Sequence, residues 1–114
     1  MKLAVVTAIV AALAVSTSAL ASTPTLVGTD GPGFKITLTK GGKKVTKLTH
    51  GTYVFKISDK SNIHNLHLTG PGIDKKTSVG GTGSSTWKLT LKKGTYKFVC
   101  DPHKTLMKGS FTVS

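Results

Sequence analysis

From Phe34 onward the chain alternates between apolar and polar positions. Phe34, Ile36 and Leu38 are interleaved with Lys35, Thr37 and Thr39. Tyr53, Phe55 and Ile57 share one face of a second segment, and Leu66 and Leu68 one face of a third. Trp87, Leu89 and Leu91 alternate with Lys88 and Thr90. Tyr96, Phe98 and Cys100 form a further stripe, and Phe111 and Val113 finish the chain. A period of two is the repeat of a half-buried β-strand, and no segment here carries a helical period. Lys40-Gly41-Gly42-Lys43 reads as a hairpin tip. Gly80-Gly81-Thr82-Gly83-Ser84-Ser85 reads as a flexible loop. Seven or eight short strands at this spacing predict one all-β domain, a Greek-key sandwich or barrel, over residues 22–114.

A repeated octapeptide sharpens that picture. Leu48 to Phe55 and Leu91 to Phe98 both read Leu-x-x-Gly-Thr-Tyr-x-Phe. The spacing suits a tyrosine corner, in which a Tyr hydroxyl bonds back to the chain just upstream and pins a crossover. Leu and Phe then point inward, and the repeat is too short for a tandem array.

The first 21 residues read differently. Met1-Lys2 is a short positive start, and Leu3 to Val15 is apolar apart from Thr7. Ser16-Thr17-Ser18 is polar, and Ala19-Leu20-Ala21 has the small-x-small pattern of a cleavage site. This is the order of a secretory signal peptide, expected to be removed after Ala21. The apolar run is short for a bilayer span, so no stable membrane insertion is expected after cleavage. The protein is therefore expected to be secreted, in a periplasm or at a cell surface, and to be a monomer.

Charge narrows the partners. The net charge is +12, from 16 basic and 4 acidic residues, and every basic residue is Lys. Nucleic acid is the usual partner of such a chain. Arg, the residue suited to phosphate forks and base edges, is absent, and the leader argues for export, so no nucleic acid is expected. Lysines also keep a β-protein soluble and blunt its strand edges, or attract acidic partners. With four Asp and no Glu, acid–base catalysis has few players, and the chain does not read as an enzyme.

The chemistry gathers in Cys100-Asp101-Pro102-His103-Lys104-Thr105-Leu106-Met107. Cys100 is the sole Cys, and Met107 the sole Met besides the initiator. A lone Cys in an exported protein pairs with another chain, reacts, or binds metal. Thiolate and thioether suit Cu(I), and imidazole suits Cu(II) as well. A blue-copper site is two His and one Cys with a long axial Met, so three of four ligands lie in this segment. The fourth is sought among three histidines. His50 occupies the corner position that Lys93 fills in the repeat, an exposed turn. Alternation puts His64 on the face of Leu66 and Leu68, and His67 on the other. His64 is therefore the better ligand on pattern. Zinc is the alternative metal, although structural zinc sites usually offer more Cys.

Cys-Asp-Pro-His followed shortly by Met, with His64-Asn65 on an upstream strand, resembles the cupredoxins, from about Phe34 to Val113. The resemblance implies an eight-stranded Greek-key sandwich holding one copper ion, Cu(II)/Cu(I), at one end. His64, Cys100, His103 and Met107 match its ligand positions. Asn65 matches the residue that ties the two ligand loops, with Asp101 and Pro102 beside it in the metal loop. Three residues separate His103 from Met107, as in azurin, while the Cys-to-His spacing is that of plastocyanin. In the family the last His reaches the surface within an apolar patch; Pro71, Pro102 and Leu106 are candidates here, with Lys104 and Lys108 flanking. The implied function is transfer of single electrons to a redox partner protein bearing an acidic patch. Two other functions compete: extracytoplasmic copper binding or delivery, and a metal-free cationic adhesion module.

Overall fold

Alternation in the sequence becomes register in the structure. The computed structural model describes residues 22–114, so the expected leader and its cleavage site lie outside the described residues. Among these residues ten strands follow one another: β1 (Thr25–Asp30), β2 (Ile36–Lys40), β3 (Lys43–Lys44), β4 (Lys47–Leu48), β5 (Gly51–Asp59), β6 (His67–Gly70), β7 (Ile73–Lys76), β8 (Gly83–Leu91), β9 (Gly94–Val99) and β10 (Lys108–Val113). They form two five-stranded sheets, ordered β3-β2-β1-β5-β8 and β4-β10-β9-β6-β7. Neighbours run antiparallel except β1 beside β5 and β10 beside β4. The fold is an all-β two-sheet sandwich, as the alternation predicts.

The inward stripes meet between the sheets. Leu26, Phe55, Leu68 and Tyr96 are wholly buried there, beside Leu38, Ile57, Leu91, Phe98 and Phe111. Each such side chain contributes about 1.5–3 kcal/mol on burial. The two octapeptides form two tyrosine corners: Tyr53 donates its hydroxyl to the Thr49 carbonyl at 2.7 Å, and Tyr96 to the Lys92 carbonyl at 2.8 Å. Leu48, Phe55, Leu91 and Phe98 all point inward. Gly41 and Gly42, at φ of 56° and 78°, make the tight turn that pairs Lys40 with Lys43. Positive φ at both central residues is what such a turn demands.

Three expectations change. The strand count rises to ten, because β3 and β4 are two-residue pairings and β1 carries no alternation to read. The buried positions of β1 are Leu26, Gly28 and Asp30. Gly28 is small by necessity: a Cβ there would lie 2.7 Å from the Ile57 side chain and 2.9 Å from that of Leu66. The expected loop at 80–85 is also shorter, since Gly83, Ser84 and Ser85 pair with Asp59, Ser58 and Ile57 of the long β5. A backbone ladder needs no apolar side chain, so small polar residues extend the strand. Finally, Phe34 precedes β2 and is 56% exposed, because the Gly31 N–H bonds the Lys35 carbonyl and folds residues 31–35 into a bend.

Candidate metal centre

One end of the sandwich is closed by two loops. The first runs from β5 to β6 and carries His64. Its entry is fixed by the Lys60 N–H on the Asp30 carbonyl, and its exit by the Leu66 N–H on Thr77 Oγ1. The second joins β9 to β10, whose end residues Val99 and Lys108 are paired. Within it, the Cys100 N–H bonds the Met107 carbonyl at 3.0 Å, and the His103 carbonyl accepts from Met107 and Leu106. Asp101–His103 form one turn of 3-10 helix. Exposed Pro102 holds a fixed φ there and lacks the N–H that the first turn would leave unpaired.

Three donor atoms converge between these loops. His64 Nδ1 and His103 Nδ1 are 3.1 Å apart, and Cys100 Sγ lies 3.7 Å and 3.5 Å from them. A triangle with these sides has a point about 2 Å from every corner, a bond length for nitrogen and sulfur ligands. His64 and Cys100 are buried and His103 is half-buried. The two imidazoles and the thiol lie within hydrogen-bond reach of one another, and two nitrogens and a soft sulfur facing one point are the donor set that copper takes. Among the described residues this is the one His/Cys/Asp/Glu group that gathers in this way. His64 Nε2 is buried with no partner. Packing therefore orients that ring, where metal-binding imidazoles usually use a hydrogen bond.

Around the triangle, Asn65 joins the two loops. Its side chain donates to Asp101 Oδ2 at 2.8 Å and to the Thr77 carbonyl at 3.2 Å, and it accepts from the Asp101 N–H at 2.8 Å. Burial alone would raise the Asp101 carboxyl. The hydrogen bonds from His67 and Asn65, helped by the charges of His67 and Lys104, outweigh it and hold the group below the usual 3.8. Met107 is wholly buried in the same loop. His50 is exposed and bonds the Ser114 carbonyl, away from the site.

The structure adds two residues and removes one. Phe34 lies over both imidazoles, its centroid 5.3 Å from His64 and 5.0 Å from His103, edge to face. The alternation had assigned it to the core face. His67 points to the outer face, as alternation requires, but is clasped between Asp101 and Asp74. That contact depends on the β6–β7 register, which no short motif encodes. Pro71 leaves the docking candidates: it packs on Gly94 at the start of β9, beside a tyrosine corner. Five residues of strand, about 17 Å, separate that position from Val99.

A family model described as copper binding proteins, plastocyanin/azurin family, matches residues 34–114. The chain belongs to this family. Solved structures agree on the fold. A methionine-to-glutamine variant of rusticyanin superposes over 79% of this chain and 76% of its own, with TM-score 0.59 and 19% identity. Reduced rusticyanin covers 79% and 78%, with TM-score 0.57 and 20% identity. Dithionite-reduced auracyanin from Roseiflexus castenholzii covers 81% and 98%, with TM-score 0.53 and 24% identity. No curated protein matches the sequence significantly. In this cupredoxin His64, Cys100 and His103 form one type 1 copper site. Copper supplies one-electron Cu(II)/Cu(I) chemistry there. The family carries electrons to redox partner proteins and is not a family of enzymes.

Proposed function

We propose that this blue copper protein is exported after cleavage at Ala21 and passes single electrons between extracytoplasmic proteins through His103. The observation that carries the reading is the asymmetry of the triangle: His64 and Cys100 are sealed in, and only His103 reaches the surface. Met107 would be the fourth, weak ligand to the copper. Support comes from its complete burial and from its backbone bonds to Cys100 and His103. Among the described residues no helix is long and apolar enough to cross a membrane.

Docking uses the surface around His103. Among the described residues four large apolar side chains are exposed, Val27, Phe34, Ile63 and Leu106, and the last three belong to the loops that hold or cover the imidazoles. Leu106 is 69% exposed, and Pro102 of the same loop is exposed as well. A clustered apolar patch of this kind marks a contact site. Exposed Lys104 and Lys108 flank it, so the partner is acidic around its own cofactor. Complementary charge speeds encounter more than it tightens the complex, which suits brief contacts. The test is the bimolecular electron-transfer rate with an acidic redox protein across ionic strength. Exposed charges are screened beyond about 10 Å at 0.1 M salt. The rate falls as salt rises, and Lys104→Glu or Lys108→Glu slows it more than Lys43→Glu. A rate flat in salt would assign docking to the apolar patch alone.

A further inference from the structure

We propose that His67 is a positioning residue for the copper site, gripping Asp101 from outside and thereby setting the link between the two ligand loops. This rests on the copper reading. Asp101 Oδ2 is engaged by Asn65, next to His64, and Asp101 itself follows Cys100. Its other oxygen, Oδ1, is held by His67 Nδ1 at 2.8 Å, and His67 Nε2 faces Asp74 Oδ1 at 2.5 Å. One chain of contacts, Asp74–His67–Asp101–Asn65, therefore runs from β7 through β6 and the metal loop to the His64 loop.

The geometry favours a protonated ring: ionised carboxylates only accept, so a ring that donates to one on each side does so as an imidazolium. The groups facing it are Asp74 and, directly opposite in register, Lys76 from β7, uncharged Val99 from β9, and Asp101 from the metal loop with Lys104 beside it. Burial alone would lower the His67 pKa, but hydrogen bonds to Asp101 and Asp74, with their charges, lift it above 6.5. The His67 side chain is 19% exposed and Asp74 is 77% exposed, so protons reach the ring through the Asp74 side.

The consequence is proton-linked electron transfer. Cu(II) carries one more positive charge than Cu(I), so a cationic His67 favours the reduced site. Losing that proton lowers the reduction potential, and by reciprocity reduction strengthens proton binding at His67. A tenfold difference in proton affinity between the two copper states corresponds to about 59 mV.

The experiment follows the potential from acid to alkaline pH, alongside an NMR titration of the His67 ring in the metal-free protein. The potential falls through the His67 pKa in the native protein and is level through that range in His67→Gln, with the blue band retained. In Asp74→Asn the inflection moves to lower pH, and so does the ring titration. A native potential that ignores pH, or an inflection that survives in His67→Gln, overturns the proposal. If His67→Gln does not fold, an unmoved inflection in Asp74→Asn overturns it instead. Absence of a blue band in the native protein would reject the copper reading. In that event the NMR titration still decides, since a ring titrating at its ordinary value contradicts the clasp.

Discussion

The two ends of the sandwich are closed by different means. At the corner end, Tyr53 and Tyr96 each bond a carbonyl four residues upstream, and each corner is complete within one octapeptide. At the metal end, Cys100 and His64 come from loops 36 residues apart, and the bonds that join those loops use Asn65, Asp101, His67 and Asp74. The corner end is satisfied by hydrogen bonds alone. The metal end gathers two imidazoles and a thiol, the donor set of a copper ion. Local stability and metal-dependent stability are therefore separated along the strands, and substitutions at the two ends should have different signatures.

The largest separation is expected from copper itself. Copper at about a hundred times its dissociation constant adds roughly 2.7 kcal/mol if only the folded state binds it. Cys100 can bind copper in the unfolded chain as well, which trims that gain. Thermal melts with and without Cu(II) should show the gain in the native protein and lose it in Cys100→Ser. An equal gain in Cys100→Ser would place the stabilising copper elsewhere.

Acidity also acts at the metal end. Asp30 and Asp59 sit side by side where β1 and β5 end, and both are buried. Burial, and then the neighbouring Asp59 carboxyl, push Asp30 up to about 7 from 3.8. Between those values the folded form keeps a proton that the unfolded form has lost. Stability therefore falls as pH rises from about 4 to about 7, at no more than ~1.4 kcal/mol per pH unit, and then levels. Denaturant unfolding across pH should show this slope in the native protein and a shallower one in Asp30→Asn. An unchanged slope would acquit Asp30.

The corner end should respond more modestly and without regard to metal. Tyr96→Phe removes one hydrogen bond and leaves the Lys92 carbonyl short of a donor, a cost of about 1–3 kcal/mol. That cost should be the same with and without copper, and the visible spectrum should not change. A Tyr96→Phe protein with an altered copper band would show that the two ends are coupled. Smallest of all is His50→Ala, because the ring is exposed and touches only the chain end; colour and potential should match the native protein.

What the sequence discloses follows the same division. Both corners were legible because their determinants lie within eight consecutive residues. Cys100 and His103 were legible because a lone Cys and a His three residues beyond it are rare features. His64 came from strand parity, which a single misplaced residue would have reversed. The surroundings of the ligands were not legible. Phe34 shares an apolar alternation with Ile36 and Leu38, but β2 begins only at Ile36, so its place over the imidazoles depends on the bend at 31–35. His67 owes its two carboxylate partners to register between β6 and β7 and to the turn at Asp101. The first strand was hidden because its buried positions include Gly28 and Asp30, and Pro71 was misplaced because nothing local tells which end of a sandwich a hairpin tip occupies.

A copper ion held by the Cys100 thiolate together with two imidazoles declares itself in the visible absorption spectrum during addition of Cu(II). An intense thiolate-to-copper band should grow in proportion to added metal and stop at one equivalent. A spectrum showing only the weak absorption of Cu(II) bound through nitrogen and oxygen would contradict this ligation.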